Sequence, residues 1–265
     1  MGLAILLLVL GAIWAPTDPP RSFADFVPSR DGFAFVNAFS GSPLPGPLSL
    51  VPSPTGTSFG LCGGMSAAAA DLFLARRGAP AVSTPPGKAD PLYHYLWSRQ
   101  LDSLGKDLSI AARFADWMRA PPLGPDGLPR RTALELPAIL ADLDRGTPVV
   151  LGLVFVRAGQ GAIWDNHQVL AFASRRTLPN VVELRVYDPN FPRHDGVVVR
   201  SVLGITGTWL VATPIPTPVV LIGASVVLRV PADAAHGHRA RRDKLVHGFF
   251  QVPYEPHALP DFEAR

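Results

Sequence analysis

The chain has 265 residues, 48% of them hydrophobic and 17% charged, and a formal net charge of +3. That size and apolar content support one large domain or two small ones and exclude global disorder, while the charge is too small to mark a nucleic-acid-binding face. Its single cysteine excludes an intrachain disulfide.

Gly2 to Ala15 is an uncharged apolar run with the length of a signal-peptide core, short for a membrane span. No Lys or Arg precedes it, and the first basic residue is Arg21. Two readings stand. As a signal or anchor it would export the protein or hold it to a membrane; as an apolar helix or a misassigned start it would leave the protein cytoplasmic. Residues 1–20, ending in the linker Pro16 to Pro20, are therefore set apart, and residues 21–265 are read as one domain.

Phe23 to Phe39 is rich in phenylalanine, and the alternation over Gly32–Asn37 predicts a short strand. Ser40 to Thr57 reads as a Gly/Pro/Ser surface loop. Four helical segments follow. Met65–Arg77, with Ala67, Ala68, Ala70 and Leu74, has the small residues of a central buried helix. Pro91–Leu104 and Ser109–Met118 carry apolar residues at helical spacing. Pro121 to Pro129 reads as a break, and Pro137–Arg145 as a helix with Gly146 at its C′ position.

After Gly146 the pattern changes to strands. Val149–Val156, Gln168–Ala173, Val181–Tyr187, Val197–Leu203, Thr208–Ala212, Val219–Val230 and Leu245–Tyr254 are apolar and β-branched, and Leu178-Pro179-Asn180 is a hairpin turn. Pro214, Pro216, Pro218 and Gly223 argue against a membrane span near Val226. Helices followed by strands predict an α+β fold with an antiparallel sheet.

The lone cysteine, Cys62, lies in Phe-Gly-Leu-Cys-Gly-Gly-Met, where a glycine-rich loop becomes the central helix. A helix N-terminus carries partial positive charge and unpaired N–H groups, which favour a thiolate. His167 opens a strand in Asn-His-Gln-Val-Leu-Ala, and Tyr187-Asp188-Pro189-Asn190 closes the next. A hairpin brings those ends side by side. The chemistry needs all three types: a thiolate nucleophile, an imidazole to hold and return the proton, and a carboxylate or amide to orient the imidazole.

A helix-starting Cys-Gly, a strand-opening His and a strand-ending Tyr-Asp-Pro resemble the papain-like cysteine peptidase superfamily, and most nearly its bacterial C39-like branch. The fuller motifs are similar to those of a group of uncharacterised bacterial proteins. The resemblance spans roughly Gly32 to Asn190. It implies a papain-like fold, with a helical half first and an antiparallel sheet half second. It also implies Cys62 as nucleophile, His167 as general base and Asp188 as orienting residue, with Asn190 as the rival for that last role. The chain departs from the family in one place. The family carries a Gln about six residues before the nucleophile, where this sequence has Gly56-Thr57-Ser58. Asn37 and Ser58 are the candidate replacement donors to an oxyanion.

These residues predict a thiol hydrolase that forms an acyl-enzyme on a peptide, amide or other acyl substrate. The alternative is a catalytically inactive papain-like binding or structural module. No cofactor is called for, and no metal: His236-Gly237-His238 lacks a nearby cysteine or carboxylate pair. Arg239, Arg241, Arg242 and Lys244 read as a solvated charge run without interleaved aromatics, and hence not as a nucleic-acid site. A membrane partner follows only if the N-terminal run is an anchor. Asn166 and Gln168 are expected to complete local hydrogen bonds, Asp165 is an alternative acid, and Trp164 a wall of the cleft.

Overall fold

The computed structural model describes residues 21–22, 26–41, 58–211, 217–231 and 243–262. The apolar N-terminal run, most of the Gly/Pro/Ser loop, the histidine pair at 236 and 238, and Arg239, Arg241 and Arg242 lie outside the described residues. Within them the fold is mixed α+β, with five α-helices and a large curled antiparallel sheet.

The chain starts with β1 (Arg21–Ser22), α1 (Pro28–Asp31), β2 (Phe39–Ser40) and β3 (Ser58–Phe59). The strand expected over Gly32–Asn37 does not form; that segment is a run of bends. Its aromatic spacing serves side-chain packing. Phe33 and Phe35 are buried with centroids 5.3 Å apart, and Phe35 meets Phe39 edge-on at 6.1 Å.

Next come α2 (Cys62–Leu74), α3 (Pro91–Asp102), α4 (Ser109–Arg119) and α5 (Leu128–Asp144). In α2 nearly every side chain from Gly63 to Leu72 is buried, as its run of alanines allows. Asp90 caps α3 by accepting the Leu92 N–H at 2.8 Å, and Pro91 takes the first turn, where its missing donor does no harm. The break expected over Pro121 to Pro129 holds as bends and turns up to Gly127, but the helix expected from Pro137 starts earlier: α5 begins at Leu128, with Pro129 in its first turn and Pro137 in its interior. Leu128, Leu136, Ile139 and Leu143 are buried, and this burial outweighs the hydrogen bond that Pro137 removes. Gly146, at φ +77°, ends the helix as the sequence predicts.

The sheet strands are β4 (Val149–Val154), β5 (His167–Leu178), β6 (Val181–Tyr187), β7 (Val198–Val211), β8 (Thr217–Arg229), β9 (Lys244–Val246) and β10 (Gly248–Val252). They pair in the order β10-β4-β5-β6-β7-β8-β9, with β1 also on β5. The two segments expected around Leu203 and Thr208 are one strand, β7, which absorbs the glycines through a register shift between Ile205 and Gly207. The expected last strand divides at His247 into β9 and β10. Val246 pairs with Val226 of β8, and Gly248 with Val154 of β4, so one short segment joins both ends of the sheet. Thus the sheet curls on itself.

Two cores result. Inside the curl, Leu136, Ile139 and Leu143 of α5 pack with Leu151, Val169, Val186 and Phe249. Outside it, Met65, Leu72 and Leu96 pack with Leu170, Phe172 and Phe250. Strands β4 and β5 are covered on both faces, which explains why they read as continuous apolar runs without alternation.

The approach of α2 to α3 depends on Gly64. A Cβ there would lie 2.1 Å from the Leu96 carbonyl oxygen, a backbone atom. Gly64→Ala is expected to lose about 1–3 kcal/mol or more in urea unfolding. Gly78→Ala, where no atom lies within 4 Å of the new Cβ, should stay within about 0.5 kcal/mol. Equal midpoints for the two variants would refute the close α2–α3 contact.

Candidate active site

Cys62 is the first residue of α2, and Leu61 is its N-cap. No side chain caps the helix from the N-cap position. Gln100 of α3 takes one of the first-turn donors, its Oε1 accepting the Gly64 N–H at 3.0 Å. The cysteine is free and half-buried.

Across from it, β5 begins at His167, and Leu170 pairs with Tyr187. Asp188 therefore leaves β6 beside the start of β5. His167 Nε2 lies 2.7 Å from Asp188 Oδ1, and both residues are buried, at 5% and 1% exposure. The Asp188 Oδ1 also accepts the Asn190 N–H at 2.9 Å. With Nε2 turned to the carboxylate, Nδ1 is the ring nitrogen left for the thiol, and the two side chains lie near enough to shift each other's titration.

The electrostatics favour an ion pair. Burial pushes the Cys62 thiol up, but the hydrogen bond and charge of His167, with the backbone N–H groups of Gln168 and Gly63, hold it below its ordinary value. Burial likewise opposes charge on His167. The charge and hydrogen bond of Asp188, then those of Cys62, outweigh it and push the imidazole up to about 10.

A chain of amides separates Asp188 from its rival. The Leu61 N–H donates to Asn37 Oδ1 at 2.6 Å, which fixes the orientation of the Asn37 amide. Asn37 Nδ2 then donates to Asn190 Oδ1 at 3.2 Å, leaving Asn190 Nδ2 to face His167 Nε2 at 3.3 Å. An amide nitrogen does not accept a proton from Nε2–H, so Asp188 is the acceptor. Asn190→Ala is accordingly expected to change the Cys62 alkylation rate by less than about fivefold. A loss matching that of Asp188→Ala would reverse the assignment.

Asn37 ties the cysteine loop to the histidine side, since its own N–H also donates to the Pro189 carbonyl at 3.1 Å. Ser58 is exposed in β3, paired with Ser40, and none of its described contacts reaches Cys62 or His167. The Asn166 Oδ1 accepts the Phe155 N–H at 2.9 Å, and its Nδ2 donates to the Ile163 carbonyl at 3.0 Å, completing local bonds as expected. The Gln168 side chain is buried toward Ser103, with Oε1 unpartnered among the described residues. Asp165 caps a local turn by accepting the Ala162 N–H, while Trp164 beside it is 61% exposed. Ser66 is buried inside α2.

Sequence reasoning missed three residues near the site. Gln100 lies in a helix whose apolar spacing drew attention elsewhere. Phe155, just past β4, is stacked on His167 with centroids 6.1 Å apart and planes 15° apart. Lys244, grouped with a solvated charge run, instead sets its ammonium 3.5 Å from the Phe155 ring centroid.

The described residues thus hold a thiol, an imidazole and a carboxylate in series at a helix N-terminus beside a curled sheet. No protein-family model, curated protein or solved structure gives a significant match to the chain.

Proposed function

We propose that the protein is a papain-like thiol hydrolase, related to the C39-like cysteine peptidases, that cleaves a peptide, amide or other acyl bond through Cys62, His167 and Asp188. The observation that carries this reading is the linkage of the Cys62 thiol through His167 to Asp188, with the imidazole pushed up and the thiol held down. The resting site is a thiolate–imidazolium pair. The thiolate attacks the carbonyl carbon, forming the C–S bond. The negative oxygen is held by the Cys62 N–H, with Asn37 Nδ2, which keeps one amide hydrogen beyond its bond to Asn190, as the second donor. The intermediate collapses, the bond to the leaving group breaks, and the departing atom takes the proton from His167. Neutral His167 then removes a proton from water as the water attacks the thioester. The C–S bond breaks, the acid is released, and the ion pair is restored.

The test is the rate of Cys62 alkylation by iodoacetamide from about pH 4 to pH 10, in the native protein and in His167→Ala. Native Cys62 is expected to react fast near neutral pH, and the variant to move toward the ordinary thiol range near pKa ~8.5. An inert Cys62, or a profile indifferent to His167, defeats the reading and leaves a binding module in its place.

A further inference from the structure

Lys244 opens β9 at the surface, and its ammonium lies against Phe155, which is itself stacked on the imidazole of His167. The charge therefore stands one aromatic ring away from the acid that would protonate a leaving group. Asp188 and Asp165 attract it from a distance. No carboxylate lies within ion-pair reach of it among the described residues, whereas Arg229, next to the Leu228 with which Lys244 pairs, lies 3.5 Å from Asp243. Desolvation holds the Lys244 ammonium below its ordinary range. A surface cation held against an aromatic ring, with no counter-ion among the described residues, gains from an anionic ligand that supplies one. Beside Asp165, the exposed Trp164 offers an apolar surface for the rest of such a ligand.

We propose that Lys244 binds a carboxylate of the substrate on the His167 side of the reacting bond. The proposal rests on the thiol-hydrolase reading, because the imidazole must reach the departing atom and so the leaving portion lies on its side. The substrate class is an acyl-amino acid or peptide whose leaving portion carries a free carboxylate. Lys244 is then a specificity residue, not part of the proton transfer.

The experiment compares alkylation of Cys62 by N-chloroacetylglycine and by its uncharged analogue N-chloroacetylglycinamide. In both, chloride leaves as the C–S bond forms, and only the terminal charge differs. The imidazolium also attracts the acid, so the informative quantity is the acid-to-amide rate ratio across variants. The acid-to-amide rate ratio of the native protein is expected to exceed that of Lys244→Gln by about tenfold, with Lys244→Arg retaining most of the difference. An equal ratio in native and Lys244→Gln overturns the proposal while leaving the ion pair intact. Failure of native Cys62 to react with either probe, together with a flat iodoacetamide profile, overturns the hydrolase reading and this one with it.

Discussion

Asp188→Ala is expected to slow Cys62 alkylation near pH 7 by about ten- to a hundredfold, since each unit of thiol pKa changes the thiolate fraction about tenfold. The Asp188 carboxylate does two things at Nε2: it accepts a hydrogen bond at 2.7 Å and supplies the charge that lifts the imidazole to about 10. Without it His167 returns toward its ordinary 6.5, the imidazolium is lost near neutral pH, and Cys62 loses the cation that holds its thiol down. The reactive window of the native protein runs from the lowered Cys62 pKa up to about pH 10, and the variant should close it from both sides. Asp188→Asn keeps an acceptor oxygen but not the charge, and should fall between the two.

The same groups set a stability dependence. His167 has a raised folded pKa, so its contribution is fully present below about pH 6.5 and is lost as pH rises through about 10. Cys62 has a depressed folded pKa, so its contribution is present above about 9.0 and is lost as pH falls through the folded value. The urea midpoint gap between native protein and Asp188→Ala should therefore be wide at about pH 6 and narrow as pH approaches 10. A gap independent of pH would mean that His167 is not charged by Asp188.

Asp71→Ala should have the largest effect on stability, a loss of about 3–5 kcal/mol in urea unfolding, because it leaves the buried Arg99 guanidinium with Asp102 alone and takes the acceptor from two tyrosine hydroxyls and a backbone N–H. Asp71 sits within α2 at 2% exposure. Its Oδ2 lies 2.8 Å from Arg99 Nε and accepts the Tyr95 hydroxyl at 2.8 Å, while its Oδ1 accepts the Tyr254 hydroxyl at 2.7 Å and the His257 N–H at 3.0 Å. One carboxylate thus ties α2 to α3 and to the segment after β10. Arg99 adds a bond to the Glu255 carbonyl at 2.9 Å. Tyr254→Phe removes a single partner and should cost about 1 kcal/mol. A loss below 1 kcal/mol for Asp71→Ala would show that the network does not hold the cysteine helix in place. The variant should also admit protease after Val252, where the released segment begins.

Several parts of this molecule are legible in its sequence. The apolar spacing of Pro91–Leu104 and Ser109–Met118 matches α3 and α4 within two residues at each end, and Gly146 ends α5 as expected. The turn at Leu178-Pro179-Asn180 and the strand Val181–Tyr187 made a hairpin, and hairpin geometry alone set His167 beside Asp188. The central helix expected over Met65–Arg77 starts three residues earlier, at Cys62, so that α2 takes Gly63 and Gly64 into its first turn.

Other parts depended on contacts distant in sequence. Pro137 reads locally as the first turn of a helix, yet α5 starts at Leu128 and runs through it because the curled sheet buries its apolar side chains. The phenylalanines of Gly32–Asn37 alternate like a strand, but among the described residues no strand pairs with them, and they pack on one another instead. Lys244 belonged to a charge run by composition, and only the closure of β9 onto β8 carried it over Phe155.

By itself the sequence determined the class of fold, the helices with clear period, and the three residue types that meet beside the start of α2. These follow from periodicity, turn chemistry and hairpin pairing, all of which act over short separations. The tertiary structure alone decided that Asp188, and not Asn190, accepts the His167 proton. That choice passes from the Leu61 N–H through Asn37 to Asn190, across 153 residues of chain. An amide's direction is fixed only by the partners at both of its ends, and no local pattern encodes where those partners will lie.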